Sequence, residues 1–283
     1  MTATDNFRDR ALQFFPGGSN GEYGIPEGDA PVLERGQGCR VWDTEGREYL
    51  DMTMAWGAVL VGHAHPKVLE AAAAAASKGA NFAAVNRPMV ELAERIADLS
   101  PCVERIRFVA SGTEATMLCL RTARATTGRP KILKFEGAYH GQYPEGVTSL
   151  VGSDLPELPQ PDSSGTGAPS VERDVLVAPY NDLASTRKIL TDYSDELAAV
   201  IVEPLHRCIP PVEGFLQGLR EATTGLGIVL VFDEVVTGFR LALGGAQEYY
   251  GVSPDLVAYG KGLGGGFPIG AFGGRADVME AVN

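Results

Sequence analysis

Five short segments, far apart in the sequence, each follow or end an apolar run, and their residue types suggest parts of one chemical site. Lys261 follows the run Asp255–Gly260 and precedes Gly262-Leu263-Gly264-Gly265-Gly266. Glycine-rich backbone can approach a ligand closely, and a strand-end position desolvates an amine, which a lysine that forms imines near neutral pH needs. Taken alone, a lysine in a glycine loop is ordinarily a solvated surface residue.

Asp233 ends the run Ile228–Phe232. A carboxylate there is costly unless it meets a cation or several donors. A protonated aromatic nitrogen would serve, and pairing it with a carboxylate keeps such a ring an electron sink. Period-two alternation puts Val235 on the same face, beneath that ring. A turn cap or a metal ligand is the ordinary alternative for Asp233. In Ile106–Ala115, the residues Ser111-Gly112-Thr113 lie between a strand and a helix start, where unpaired backbone N–H groups suit a phosphate. Simple helix capping by Ser111 and Thr113 is the competing reading.

Gly137-Ala138-Tyr139-His140-Gly141 follows Ile132–Phe135 and offers an aromatic pair on which a planar group could stack, or merely core packing. Glu203 follows Ala198–Val202 as a second strand-end acid, with a turn contact as its plain alternative. His63-Ala64-His65-Pro66 has no third ligand nearby and reads as a structural turn. No metal site is expected.

The elements that must position these residues follow from hydrophobic patterning. Ile106–Ala110, Ile132–Phe135, Val175–Ala178, Ala198–Val202, Ile228–Phe232 and Leu256–Tyr259 read as buried parallel strands. Val68–Lys78, Val90–Leu99, Glu114–Thr126, Asp182–Tyr193 and Gly218–Leu226 have helical character and suit crossovers. The fold class is α/β, a mostly parallel, doubly wound sheet flanked by helices, which binds ligands at the carboxyl ends of its strands. Residues 1–45, with many turn residues and a hairpin-like Val41–Gly46, are expected to pack outside the main sheet, and 46–283 to form the large domain. Val151–Ser170, rich in Gly, Pro, Ser and Asp, reads as a functional lid or a disordered loop.

Composition bounds the partners. The 283 residues carry a net charge of −12, which argues against nucleic acid and anionic membrane surfaces and for small molecules. Cys39, Cys102, Cys119 and Cys208 lack C-x-x-C spacing, so reduced thiols and a cytoplasmic location are expected. Met1–Arg10 is too polar for a secretory signal.

Together these segments resemble the class III aminotransferases of fold type I, most closely the glutamate-1-semialdehyde aminomutase branch. The resemblance covers nearly the whole chain. It rests on Phe15-Pro16-Gly17-Gly18, Trp56-Gly57, Gly62-His63-Ala64-His65-Pro66, Ser111–Ala115, Tyr139-His140-Gly141, Asp233–Arg240, Leu243–Gln247 and Gly260–Arg275. It implies pyridoxal 5'-phosphate as cofactor, Lys261 as the lysine that holds it and shuttles the proton, and Asp233 on the pyridine nitrogen. Gly112 and Thr113, with Ser111, would hold the phosphate. Tyr139, His140, Glu203 and Val235 would line the ring, and Trp56 would face the substrate. The implied reaction moves an amino group from an amine or amino acid to a keto or aldehyde acceptor, or within one molecule. A homodimer is implied.

Three departures narrow this. Ser19–Tyr23 lacks the arginine that the aminomutases place after Pro-Gly-Gly to bind the substrate carboxylate. Glu203-Pro204 runs through Leu205-His206-Arg207-Cys208 directly to Ile209-Pro210-Pro211, where Arg207 stands as a replacement carboxylate partner. The family's C-terminal domain is absent before Asn283, so the chain reads as a fragment, and a catalytically inactive scaffold is one alternative. Gly260-Lys261-Gly262-Leu263-Gly264 also suggests a dinucleotide-binding oxidoreductase. That fingerprint needs a helix after the glycines, whereas Phe267–Phe272 reads as a strand.

Overall fold

The computed structural model describes residues 3–18, 31–79, 81–150, 159–161 and 173–282. Contacts group the chain into two compact units, residues 1–81 and 82–283. Ser19–Tyr23 and most of Val151–Ser170 lie outside the described residues.

The first unit contains the helix Ala3–Phe14, a three-stranded sheet of β1 (Leu33–Gln37), β2 (Arg40–Asp43) and β3 (Glu48–Leu50), and the helix Pro66–Ala76. β2 and β3 pair antiparallel, forming the hairpin expected at Val41–Gly46. Its turn is tied by Asp43, whose Oδ1 accepts from the N–H groups of Glu45 and Arg47 at 3.0 and 2.9 Å. His63 bridges Gly38 through paired backbone hydrogen bonds, and its Nε2 lies 2.7 Å from Asp51 Oδ2. It is therefore a structural histidine at a turn. His65 precedes Pro66 at the start of the next helix.

The second unit is built on a sheet that, among the described residues, has seven strands in the order β4-β10-β9-β8-β7-β5-β6. They are β4 (Arg105–Val109), β5 (Lys131–Phe135), β6 (Val175–Ala178), β7 (Leu197–Val202), β8 (Val229–Asp233), β9 (Leu256–Tyr259) and β10 (Gly270–Gly274). Strands β9 to β6 pair in parallel. All residues of β6, β7, β8 and β9 are buried, as strands covered on both faces must be. Alternate residues feed two cores. Leu133, Val200, Leu230 and Val257 pack with Ile189, Phe215 and Leu219 from the helices Leu183–Asp192 and Phe215–Leu226. Ile132, Ile201, Val231 and Ala258 pack with Ala115, Cys119 and Leu120 from the helix Gly112–Thr127. Each such fully buried Leu, Ile or Phe contributes ~1.5–3 kcal/mol.

One expectation needs correcting. Ile106–Ala110 reads as a buried parallel strand, but β4 is a partly exposed edge strand that pairs antiparallel with β10. Strand β10 is in turn antiparallel to β9, so β4 still points the same way as the parallel set. The reversal explains why the chemistry-bearing turns after β4, β5, β7, β8 and β9 all leave the same end of the sheet. No described helix is long and apolar enough to cross a membrane.

Candidate active site

At the end of β8, two adjacent carboxylates diverge. Asp233 is only 6% exposed, and its Oδ2 lies 2.7 Å from His140 Nδ1 while Oδ1 accepts from the Val235 N–H at 3.1 Å. A carboxylate can only accept, so Nδ1 carries the hydrogen of this contact. His140 Nε2 is buried without a partner among the described residues. Asp233 thus meets a ring N–H donor from a histidine 93 residues away in the sequence. Glu234, wholly buried, accepts from Thr237 Oγ1, Ala246 N and Gln247 Nε2 at 2.9, 2.6 and 3.0 Å. Burial pushes its pKa up while these donors pull it down. Gln247 also donates to Ser100 Oγ and Tyr259 OH, which braces the end of β9.

Lys261 follows β9 in a single 3-10 turn, Lys261–Gly264, with φ 44°. A non-glycine residue there is strained and persists only when its surroundings demand it. Its side chain is partly buried, and among the described residues no hydrogen bond or ion pair holds Nζ. Burial pushes its pKa down; Asp233 and Glu203 pull it up, and Arg240 and Arg207 push it further down. The result is an amine that gives up its proton more readily than a solvent-exposed lysine does. No helix follows the glycines; β10 does, which removes the dinucleotide reading.

Close backbone approach joins these pieces. A Cβ on Gly260 would sit 3.3 Å from both Gly112 Cα and Val235 Cγ1, and one on Gly112 would sit 2.8 Å from Val235 Cγ1. Val235 therefore reaches the site by packing, although β8 ends at Asp233 and strand alternation does not extend to it. The 16-residue helix Gly112–Thr127 begins at this junction. Ser111 caps it, accepting from Glu114 N at 3.2 Å, and Glu114 Oε2 accepts from Ala110 N at 2.6 Å. The N–H groups of Gly112 and Thr113 lie outside the helix's own ladder, and the macrodipole adds positive character there. Such a terminus favours an anion such as a phosphate.

The segment after β5 closes the site. Glu203 Oε1 accepts from Tyr139 N at 3.0 Å and Oε2 from Arg207 N at 3.2 Å. Arg207 sits at φ 59°, exposed, with Nη2 donating to Gly137 O at 2.8 Å. Glu203 is thus a clasp between two loops, richer than the simple turn contact that is its plain alternative. Gly141 lies against Thr113, where an added Cβ would be 2.8 Å from Thr113 Cα. Thr116 Oγ1 donates to His140 O, and Lys134 Nζ donates to three carbonyls of the same segment. Trp56 belongs to the first unit, exposed and at φ 56°.

Sequence reasoning brought Lys261, Asp233, Val235, Ser111, Gly112, Thr113, Tyr139, His140, Glu203 and Arg207 to one end of one unit. It passed over Lys134, Thr116 and the role of Glu234. Lys134 had a signal, a charge inside the apolar run Ile132–Phe135.

The chain is 45% identical over 278 residues to "Glutamate-1-semialdehyde 2,1-aminomutase 2" of Brevibacillus brevis, covering 96% of this chain and 64% of that protein. It therefore spans a little under two thirds of that relative's length. An omega-transaminase from Sphaerobacter thermophilus superposes with a TM-score of 0.92 at 40% identity, covering 98% of this chain and 65% of that one. A structure described as a transaminase with PLP bound matches with a TM-score of 0.89 at 34% identity, covering 99% of this chain and 66% of the other. With the model of the family described as Aminotransferase class-III matching residues 26–283, this chain belongs to that family.

Proposed function

We propose that the protein transfers an amino group between an amine or amino-acid donor and a keto or aldehyde acceptor, with pyridoxal 5'-phosphate as cofactor. When bound, the cofactor supplies an aldehyde for amine chemistry and an electron-withdrawing protonated ring. In this reading the N-terminus of Gly112–Thr127, with Ser111 and Thr113, holds the phosphate. Asp233 holds the ring nitrogen, and His140 keeps Asp233 oriented. Val235 packs under the ring, with Tyr139 and Glu203 at its margin. Lys261 Nζ would hold the cofactor and would take and return the substrate proton.

The observation that carries the reading is Lys261 itself. It is a partly buried lysine without a hydrogen-bonding partner among the described residues, at the same sheet end as a buried Asp233–His140 pair and a helix N-terminus. Arg207 is exposed, and among the described residues its guanidinium is held through Nη2 alone, so it retains donors for a substrate carboxylate. The assignment of Trp56 to substrate rests on the family resemblance. A homodimer in the cytoplasm completes the proposal.

An intramolecular version, glutamate-1-semialdehyde 2,1-aminomutase activity, is favoured by the 45% identity to a protein of that name. Visible absorption of the protein with added pyridoxal phosphate, before and after an amine donor, tests the proposal alongside Lys261→Ala. A protein-bound band that bleaches with donor and is missing in the variant is the expected result. Absence of a band in the parent would favour a catalytically inactive scaffold. Product analysis with glutamate-1-semialdehyde alone then separates mutase from transaminase.

A further inference from the structure

Strand β5 carries a second lysine whose surroundings are unlike those of Lys261. Lys134 has no exposed surface, and it is flanked by Leu133 and Phe135, which are buried in the sheet core. Its Nζ donates to Ala138 O at 2.9 Å, Gly146 O at 3.2 Å and Thr148 O. An ammonium has three N–H donors, and all three are used on backbone carbonyls. Those carbonyls belong to the segment after β5, which apart from the single helical turn Pro144–Val147 has few ladder hydrogen bonds of its own and so needs donors for its buried acceptors. Other ties reach the segment from outside, among them Tyr139 N to Glu203 Oε1 at 3.0 Å, Thr116 Oγ1 to His140 O and Arg124 Nη1 to Glu145 Oε1 at 2.9 Å, and the rest are local. The local ones include His140 N to Gly146 O at 3.1 Å, Gly137 N to Ser149 O at 2.9 Å and Gly146 N to Tyr143 O at 2.8 Å. Between the first and second clamped carbonyls lie Tyr139, His140 and Gly141.

We propose that Lys134 is a positioning residue whose buried ammonium gathers the 138–148 loop around itself and thereby sets His140 against Asp233. The consequence for catalysis rests on Asp233 being the partner of the cofactor ring, as proposed above; the loop's dependence on Lys134 does not. Burial pushes the Lys134 pKa down to about 7, with Glu203 pulling it up and Arg207 pushing it down. The three carbonyls stabilise the charged form.

Hydrogen–deuterium exchange with residue resolution on the parent protein and Lys134→Met tests this, with imidazole NMR of His140 beside it. We expect the amides of His140, Gly146 and Thr148 to exchange about tenfold faster or more, because each unpaired buried carbonyl weakens the closed loop. Amides of Gly112–Thr127 and β7 should change less than about twofold. The His140 Nδ1–H signal should broaden or vanish, and pyridoxal phosphate should bind about tenfold more weakly. Should Lys134→Met not fold, Lys134→Gln keeps two N–H donors without the charge and should show the same pattern at smaller amplitude. Lys134→Arg should restore part of the protection. Unchanged loop exchange, or equal acceleration across the whole sheet, would overturn the proposal. If the parent binds no pyridoxal phosphate while the loop responds as expected, the functional reading fails and the loop assignment stands.

Discussion

The ends of β5 and β9 each present a lysine beside buried groups, and they use it in opposite ways. At β5, Lys134 is completely buried and all three of its donors are engaged. At β9, Lys261 is partly buried, backbone-strained and without a hydrogen-bonding partner among the described residues. Burial lowers the pKa in both places. The difference lies in hydrogen bonding. A lysine saturated by carbonyls is structural, whereas one that is desolvated and unsaturated is a poised nucleophile. Asp233 and Glu234 repeat the lesson one residue apart. Asp233 offers its carboxylate to the site through a histidine, and Glu234 spends its oxygens on the turn behind.

The contrast can be broken most severely at the carboxylates. Glu234→Ala strands Thr237, Ala246 and Gln247 donors in the core and should lower unfolding free energy by about 3 kcal/mol or more. Asp233→Asn should leave stability within about 1 kcal/mol of the parent while abolishing the bleaching of the cofactor band by donor. Denaturant unfolding and absorption spectra on both variants check the pair. Equal stability losses would erase the distinction. Next in size, Gly112→Val places methyl groups where a Cβ already meets Val235 at 2.8 Å. A loss of about 1–3 kcal/mol and weaker phosphate binding are expected from unfolding curves and titration with inorganic phosphate.

A smaller effect is the pH dependence of Lys261. Its folded pKa lies below the 10.5 of a free lysine, so the neutral amine is present at lower pH than in the unfolded chain. In the window between the lowered value and 10.5, the unfolded chain binds the extra proton, and this group makes folding more favourable as pH rises. The rate at which Lys261 captures an aldehyde should therefore rise and level off below pH 10.5. A midpoint at or above that value in a pH–rate series would contradict the burial argument.

Much of the fold is legible in the sequence. The strands Val175–Ala178 and Leu256–Tyr259 were bounded as observed, because short, wholly apolar runs between turn residues leave little choice. The candidate residues Asp233, Glu203 and Lys261 stand at or just past the ends of such runs, where their residue types are conspicuous. The edge position of β4 and its antiparallel pairing with β10 were not legible, because strand order depends on partners more than 150 residues apart. The His140–Asp233 contact spans 93 residues and leaves no local trace. Lys134 was visible as a charge in an apolar run, yet only the carbonyls that converge on it show why a lysine belongs there. The strained φ of Lys261 likewise carries no residue-type signature, since glycines on either side would have served the turn.

The most direct test of the two-lysine account is to incubate the protein with pyridoxal phosphate, reduce the adduct with borohydride and map the labelled peptide by mass spectrometry. Stoichiometric labelling at Lys261, with Lys134 unmodified, is the predicted result. Labelling at Lys134, or labelling spread over surface lysines with Lys261 no more reactive than the rest, would contradict it.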